Sequence, residues 1–123
     1  DEYILMGMAA YGNPERTYNK KPLYVQIMNA FGIHGDKKKN IVSFKKNLHR
    51  GCNWLFPDLT TEQDLFDLAA ATQHIYEMMF DRVIKLAKRL YHGPNLVLMG
   101  GCALNCVANS GITDNYGFKN IWI

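Results

Sequence analysis

Two adjacent glycines, Gly100 and Gly101, stand between an apolar run, Val97-Leu98-Met99, and a small-residue stretch, Cys102-Ala103-Leu104-Asn105. Backbone without side chains can approach a ligand closely, and the free N–H groups of a helix start can meet an anion. The spacing is neither GxGxxG nor a Walker P-loop, so neither of those phosphate cradles applies. A plain strand-to-helix turn is the competing reading of the same residues.

Other side chains with chemistry are sparser. Cys102 and Cys106 are four apart and could share a helix face for a metal or redox role. No CxxC is present and no histidine falls close by, so both are expected to be small buried hydrophobes. Three cysteines in 123 residues make no disulfide scaffold and suit a reducing compartment. His34, His49, His74 and His92 form no metal-ligand spacing, and His49 reads as a packing residue. Lys37-Lys38-Lys39 reads as a solvated loop. A net charge of +3 is too weak to argue for nucleic acid. No run of about 18 apolar residues and no signal peptide are visible, so a cytoplasmic chain without a membrane span is expected.

The elements that position these residues follow from periodicity. Tyr3 to Gly12 is apolar and ambiguous between strand and short helix, and Gly12-Asn13-Pro14 ends it in a turn. That turn either packs against the core or brings backbone near a ligand. Leu23 to Phe31 is expected as a helix, with Pro22 in its first turn and Gly32 as its C-cap. Gly35 to Asn40 reads as a polar loop, Ile41 to Phe44 as a weak strand, and Leu48 to Asp58 as irregular structure or a short strand.

Thr60 with Gln63 three residues on predicts a capping box. Beyond it, Leu65, Ala69, Thr72, Tyr76, Met79, Val83, Leu86 and Leu90 recur at spacings of three and four. They mark one face of a helix of about 30 residues, roughly 45 Å long. Tyr76, Met79 and Phe80 are expected in the core. Acidic Glu62, Asp64 and Asp67 lie early and basic Lys85, Lys88, Arg89 and His92 late, complementing the helix dipole. Gly93-Pro94 is expected to close the helix.

Asn95 to Met99 then reads as a short strand buried on both faces. Ala103 to Ser110 reads as a short helix ended by Gly111, and Asn120 to Ile123 as another buried strand. This order implies a right-handed crossover within one sheet. Ligands in open α/β sheets sit outside the carboxyl ends of such strands, where Gly100 and Gly101 fall. The chain opens on Asp1 and closes on apolar Ile121-Trp122-Ile123, and is expected to be cut from something longer.

Three blocks carry a resemblance. The segment EYILMGMAAYGNP at 2–14 resembles the EYKVMGLAPYGxP segment of the carbamoyltransferases that include nodulation-factor and antibiotic-tailoring enzymes. DLAAATQ at 67–73 and NLVLMGGCALNCVAN at 95–109 resemble that family's DLAASxQ and NLxLxGGVALNCxxN. FKNIWI at 118–123 sits where the family has the strand leading to PxxGDxGxAxGAA. Residues 18–58 match poorly and read as a variable insertion within one domain spanning 1–123. The AxxxQ … GGxxxN layout is also similar to tRNA threonylcarbamoyladenosine-modification proteins.

The resemblance implies an α/β fold: a fragment of an actin-like ATPase (ribonuclease H-like) domain, helix-rich with short buried strands. It implies an enzyme using ATP and carbamoyl phosphate through carbamoyladenylate, with a small-molecule hydroxyl as acceptor and neither nucleic acid nor membrane as partner. Gly100 and Gly101 would pass the nucleotide with bare backbone, and Asn105 would hydrogen-bond its adenosine or phosphate end. Gln73 belongs to a matching block and is expected to support the glycine loop rather than touch ligand. Ile4 replaces a family lysine and Cys102 a family valine. The family's divalent metal, expected to be iron, is held by an HxxxH pair and a GDxG aspartate, neither present in this chain. The isolated chain is therefore expected to be inactive, and self-association of exposed surfaces would be unsurprising. A tRNA-modifying threonylcarbamoyl transferase and a non-catalytic helical interaction module are the rival readings.

Overall fold

The computed structural model describes residues 2–36, 41–46, 51 and 53–123. The lysine run at 37–39, His49, Arg50 and Cys52 lie outside the described residues.

The stretch left open between strand and helix is a helix, α1 (Glu2–Ala9). Its exit turn packs on backbone: a Cβ on Gly12 would fall on the Phe66 carbonyl. Gly12 is therefore a core-packing turn. A short antiparallel pair, β1 (Thr17–Tyr18) and β2 (Lys21–Pro22), leads into α2 (Leu23–Phe31). Pro22 precedes α2 instead of lying in its first turn, while Gly32 caps it in the left-handed region as expected. Gly35 and Asp36, expected in a loop, belong to β3 (His34–Asp36), which pairs antiparallel with β4 (Ile41–Ser43). A 3-10 turn covers Asn53–Leu55.

The organising element is α3 (Glu62–Leu90), 29 residues long. Its capping box is one residue later than expected. The Thr61 hydroxyl accepts from the Asp64 N–H at 3.1 Å, and the Asp64 carboxylate accepts from the Thr61 N–H at 3.0 Å. Gln63 is drawn away instead, donating to Asp67 and to the Tyr11 carbonyl. At the other end Tyr91, in extended conformation, is the C-cap, so Gly93-Pro94 lies beyond the helix end.

The buried face of α3 also differs from the periodic one. Leu65, Val83 and Leu90 are exposed, whereas Leu68, Ala71, Ile75 and Ile84 are buried. The cause is packing on two sides: α1 and α2 both lie against the first half of α3. Ala69, Ala70 and Ala71 are all buried there, because only small side chains let two helices close on one. Leu23, Ile27, Phe31, Phe56, Leu68 and Ile75 form the first core, and Met79 packs at its edge. Ile84, Ile112 and Phe118 form a second core on the later half, with Phe80 at its edge. Tyr76, Met79 and Phe80 are thus half-buried.

Beyond α3, β5 (Asn95–Val97) pairs parallel with β6 (Asn120–Trp122), the arrangement a crossover requires. The strands are not buried on both faces. Leu96, Leu98 and Ile121 pack on the second core, while Met99 is 88% exposed and Trp122 53%. Only one face of the pair is covered by described residues, so the side chains alternate in and out. The single helix expected over Ala103 to Ser110 is broken into a 3-10 turn (Gly101–Leu104) and α4 (Cys106–Asn109), followed by α5 (Ile112–Tyr116). Asn105 causes the break: its side chain bonds the Ala108 N–H and starts α4 afresh. Gly111 precedes α5 and ends no helix. Among the described residues, no helix is long and apolar enough to cross a membrane.

Candidate functional site

The glycine turn lies just past the carboxyl end of β5. Gly100 has φ 94° and ψ 169°, a backbone conformation that side-chain-bearing residues rarely adopt. Apart from each glycine's own neighbours in the chain, no atom of the described residues comes within 4 Å of where a Cβ would stand on Gly100 or Gly101, so both face open space there. The turn is anchored from behind. Ala103, buried, donates its N–H to the Gly100 carbonyl at 3.0 Å. The Tyr76 hydroxyl of α3 donates to the Cys102 carbonyl at 2.8 Å, and burial raises the phenol's pKa above its ordinary value. Tyr76 also stacks on Phe80, with ring centroids 5.9 Å apart.

Asn105 follows the 3-10 turn, and its amide meets that of Gln73. Asn105 Nδ2 donates to Gln73 Oε1 at 2.9 Å, and Gln73 Nε2 donates back to Asn105 Oδ1 at 3.2 Å. Gln73 Nε2 also donates to Glu77 Oε1 at 2.8 Å, and Asn105 Oδ1 also accepts from the Ala108 N–H at 3.1 Å. Asn109 extends the network by donating to the Ala103 carbonyl at 2.6 Å. Its own Oδ1 is buried without a hydrogen-bond partner among the described residues. Gln73, His74 and Glu77 line a cleft of about 200 Å³ with Met6 and Val107, between α1, α3 and α4.

The helix N-terminus expected to face an anion is not there. A 3-10 turn and a four-residue helix replace it, and neither sums to a useful dipole. Cys102 and Cys106 are exposed free thiols, not buried hydrophobes. Cys106 Sγ lies 4.0 Å from Met6 Sδ. His74 packs edge-on against Tyr24. Among the described residues, no three of His, Cys, Asp or Glu are placed to hold a metal ion.

A second polar cluster went unread in the sequence. The Arg16 guanidinium donates to Asp67 Oδ2 at 2.6 Å and to Asp64 Oδ1 at 2.8 Å. Both aspartates are buried, 3% and 7% exposed. Thr61, through its hydroxyl and N–H, holds Asp64 below the usual carboxylate range, ahead of Arg16. Burial pushes Asp67 upward. The Asn13 N–H, Gln63 and Arg16 together outweigh it and leave Asp67 lowered. Two aspartates three apart on one helix face were the available signal. Their partner lies 48 and 51 positions away.

The larger hollow, about 700 Å³, is remote from the glycine turn. It is lined by Arg82, Lys85, Lys88 and Arg89 on the later half of α3, by His92 just beyond that helix, and by Tyr116 on α5. Burial, then the hydrogen bond to Asp81, pushes the Tyr116 phenol up to about 12. No expected site residue lines it.

The whole chain, residues 1–123, matches the family described as carbamoyltransferase N-terminus. The chain belongs to the carbamoyltransferase family. Its glycine turn, Asn105 and Gln73 are therefore features of a carbamoyltransferase N-terminal region. This carbamoyltransferase chain is similar to the uncharacterized protein sll1178 of Synechocystis sp., 33% identical over 141 aligned positions, covering 99% of the chain. It spans 21% of that relative's length. No solved structure matches it.

Proposed function

We propose that this chain forms part of the nucleotide pocket of a carbamoyltransferase catalytic domain of the actin-like ATPase class. The longer protein would use ATP and carbamoyl phosphate to make carbamoyladenylate, and transfer the carbamoyl group to a hydroxyl of a small molecule. In that step the hydroxyl oxygen bonds the carbamoyl carbon and its proton is released. The bond from that carbon to the adenylate oxygen breaks, and AMP departs. The contribution of these residues is binding and orientation. Gly100 and Gly101 pass the nucleotide with bare backbone, and Asn105 hydrogen-bonds it. No step is assigned to a metal; among the described residues, no three His, Cys, Asp or Glu side chains are grouped to hold one.

One observation carries the reading: the glycine turn is held by Tyr76 and Ala103, yet among the described residues nothing fills the space a Cβ on Gly100 or Gly101 would enter. Gly101→Val is therefore a fitting probe, since its Cβ meets open space among the described residues and its side chain adds bulk at the turn. Calorimetric titration of the full-length protein with ATP should show binding in the wild type and none in Gly101→Val. Equal affinity in both would reject the glycine turn as the nucleotide site.

A further inference from the structure

We infer that Gln73 is the positioning residue for Asn105, and that the pair offers the bound ligand one donor, from Asn105, and one acceptor, from Gln73. The inference rests on the nucleotide site proposed above and adds the polarity of the group it binds.

An isolated amide pair could sit either way round, with oxygen and nitrogen exchanged. This one cannot, because each end meets a group of fixed polarity. Glu77 is a carboxylate and only accepts, so the Gln73 atom at 2.8 Å from it is Nε2. The Ala108 N–H only donates, so the Asn105 atom at 3.1 Å from it is Oδ1. Both amides are then oriented, and the two bonds between them follow with matched polarity.

Counting donors and acceptors leaves a specific remainder. Gln73 Nε2 spends its two hydrogens on Glu77 and Asn105. Asn105 Oδ1 spends its two lone pairs on Ala108 and Gln73. Among the described residues, one hydrogen on Asn105 Nδ2 and one lone pair on Gln73 Oε1 remain unused. Asn105 therefore meets ligand only as a donor, and the atom facing it must be an acceptor, such as a phosphate oxygen or a ring nitrogen.

Gln73 is suited to the task because α3 is immobilised around it. Ala69, Ala70, Ala71 and Ile75 are all buried, and Tyr76 bonds the glycine turn itself. A side chain locked from a packed helix holds its neighbour better than a loop can.

The test is ATP titration of the full-length protein and its variants. Asn105→Asp keeps the oxygen that accepts from Ala108 and Gln73 but carries no donor at neutral pH. It should weaken ATP binding at least about tenfold, with recovery relative to wild type as the carboxyl protonates. Gln73→Met should cost about tenfold alone and nothing further in an Asn105→Ala background, because both changes remove one device. Parallel titrations with adenosine and with inorganic pyrophosphate identify the acceptor. A loss confined to adenosine places it on the nucleoside, and a loss confined to pyrophosphate places it on the phosphates. Either result supports the inference. Wild-type affinity in Asn105→Asp at neutral pH, or additive losses in the double variant, overturns it while leaving the nucleotide site standing. A wild-type protein that binds none of the three ligands overturns both.

Discussion

Arg16 and Asp67 stand 51 residues apart in sequence and 2.6 Å apart in the fold. Together with Asp64 they fasten the Gly12–Arg16 turn to the start of α3, beside the residues that continue to Gln73. The cluster has a pH signature. Asp64 and Asp67 are both lowered on folding, so their stabilisation is present above the unfolded carboxylate pKa and is lost as pH falls through the folded values. Arg16→Ala should lower the denaturant midpoint near neutrality, since it leaves two aspartates, held otherwise only by hydrogen bonds, without their cation. Denaturant midpoints should show that gap narrowing as pH falls below the unfolded carboxylate range and through the lowered folded values, where both aspartates protonate. A gap independent of pH would contradict the assignment.

The register of the α3 cap makes a sharp comparison. Thr61→Ala should cost about 1 kcal/mol, the usual loss for an N-cap hydroxyl. Thr60→Ala should cost under about 0.5 kcal/mol, as a surface change away from the cap. Thermal melting of the two variants checks which threonine caps the helix.

Two glycines should respond oppositely to one added methyl group. In Gly12→Ala the Cβ would strike the Phe66 carbonyl, so α1 and α3 must separate and the melting temperature should fall by several degrees or more. Gly101→Ala meets open space and should melt like the wild type. Its effect belongs in ligand binding.

The isolated 123-residue chain should not transfer carbamoyl groups, because its described residues hold no metal ligand set. An assay with carbamoyladenylate, divalent iron and a range of hydroxyl acceptors checks this. Turnover by the purified chain would show that the chemistry needs less than the proposal assumes.

The sequence by itself determined the local elements. The long helix, the left-handed glycine closing α2, the strand before the glycine pair and the family blocks all depend on residues near one another in the chain. Tertiary structure decided what those elements present. Periodicity marked Leu65, Val83 and Leu90 as the inner face of α3, but α1 and α2 pack on its first half and Ile112 and Phe118 on its later half, and these turn other residues inward. The rotation of a helix about its axis is set by the surfaces that meet it, and these come from distant segments. For the same reason Gln73 could be placed in a block but not beside Asn105, 32 residues on. The Arg16 partners were invisible too, since a charge pair across 48 or 51 residues leaves no spacing to read. The apolar runs of β5 and β6 show that each strand can be covered, while only the surrounding elements decide which face is, and the side chains alternate accordingly.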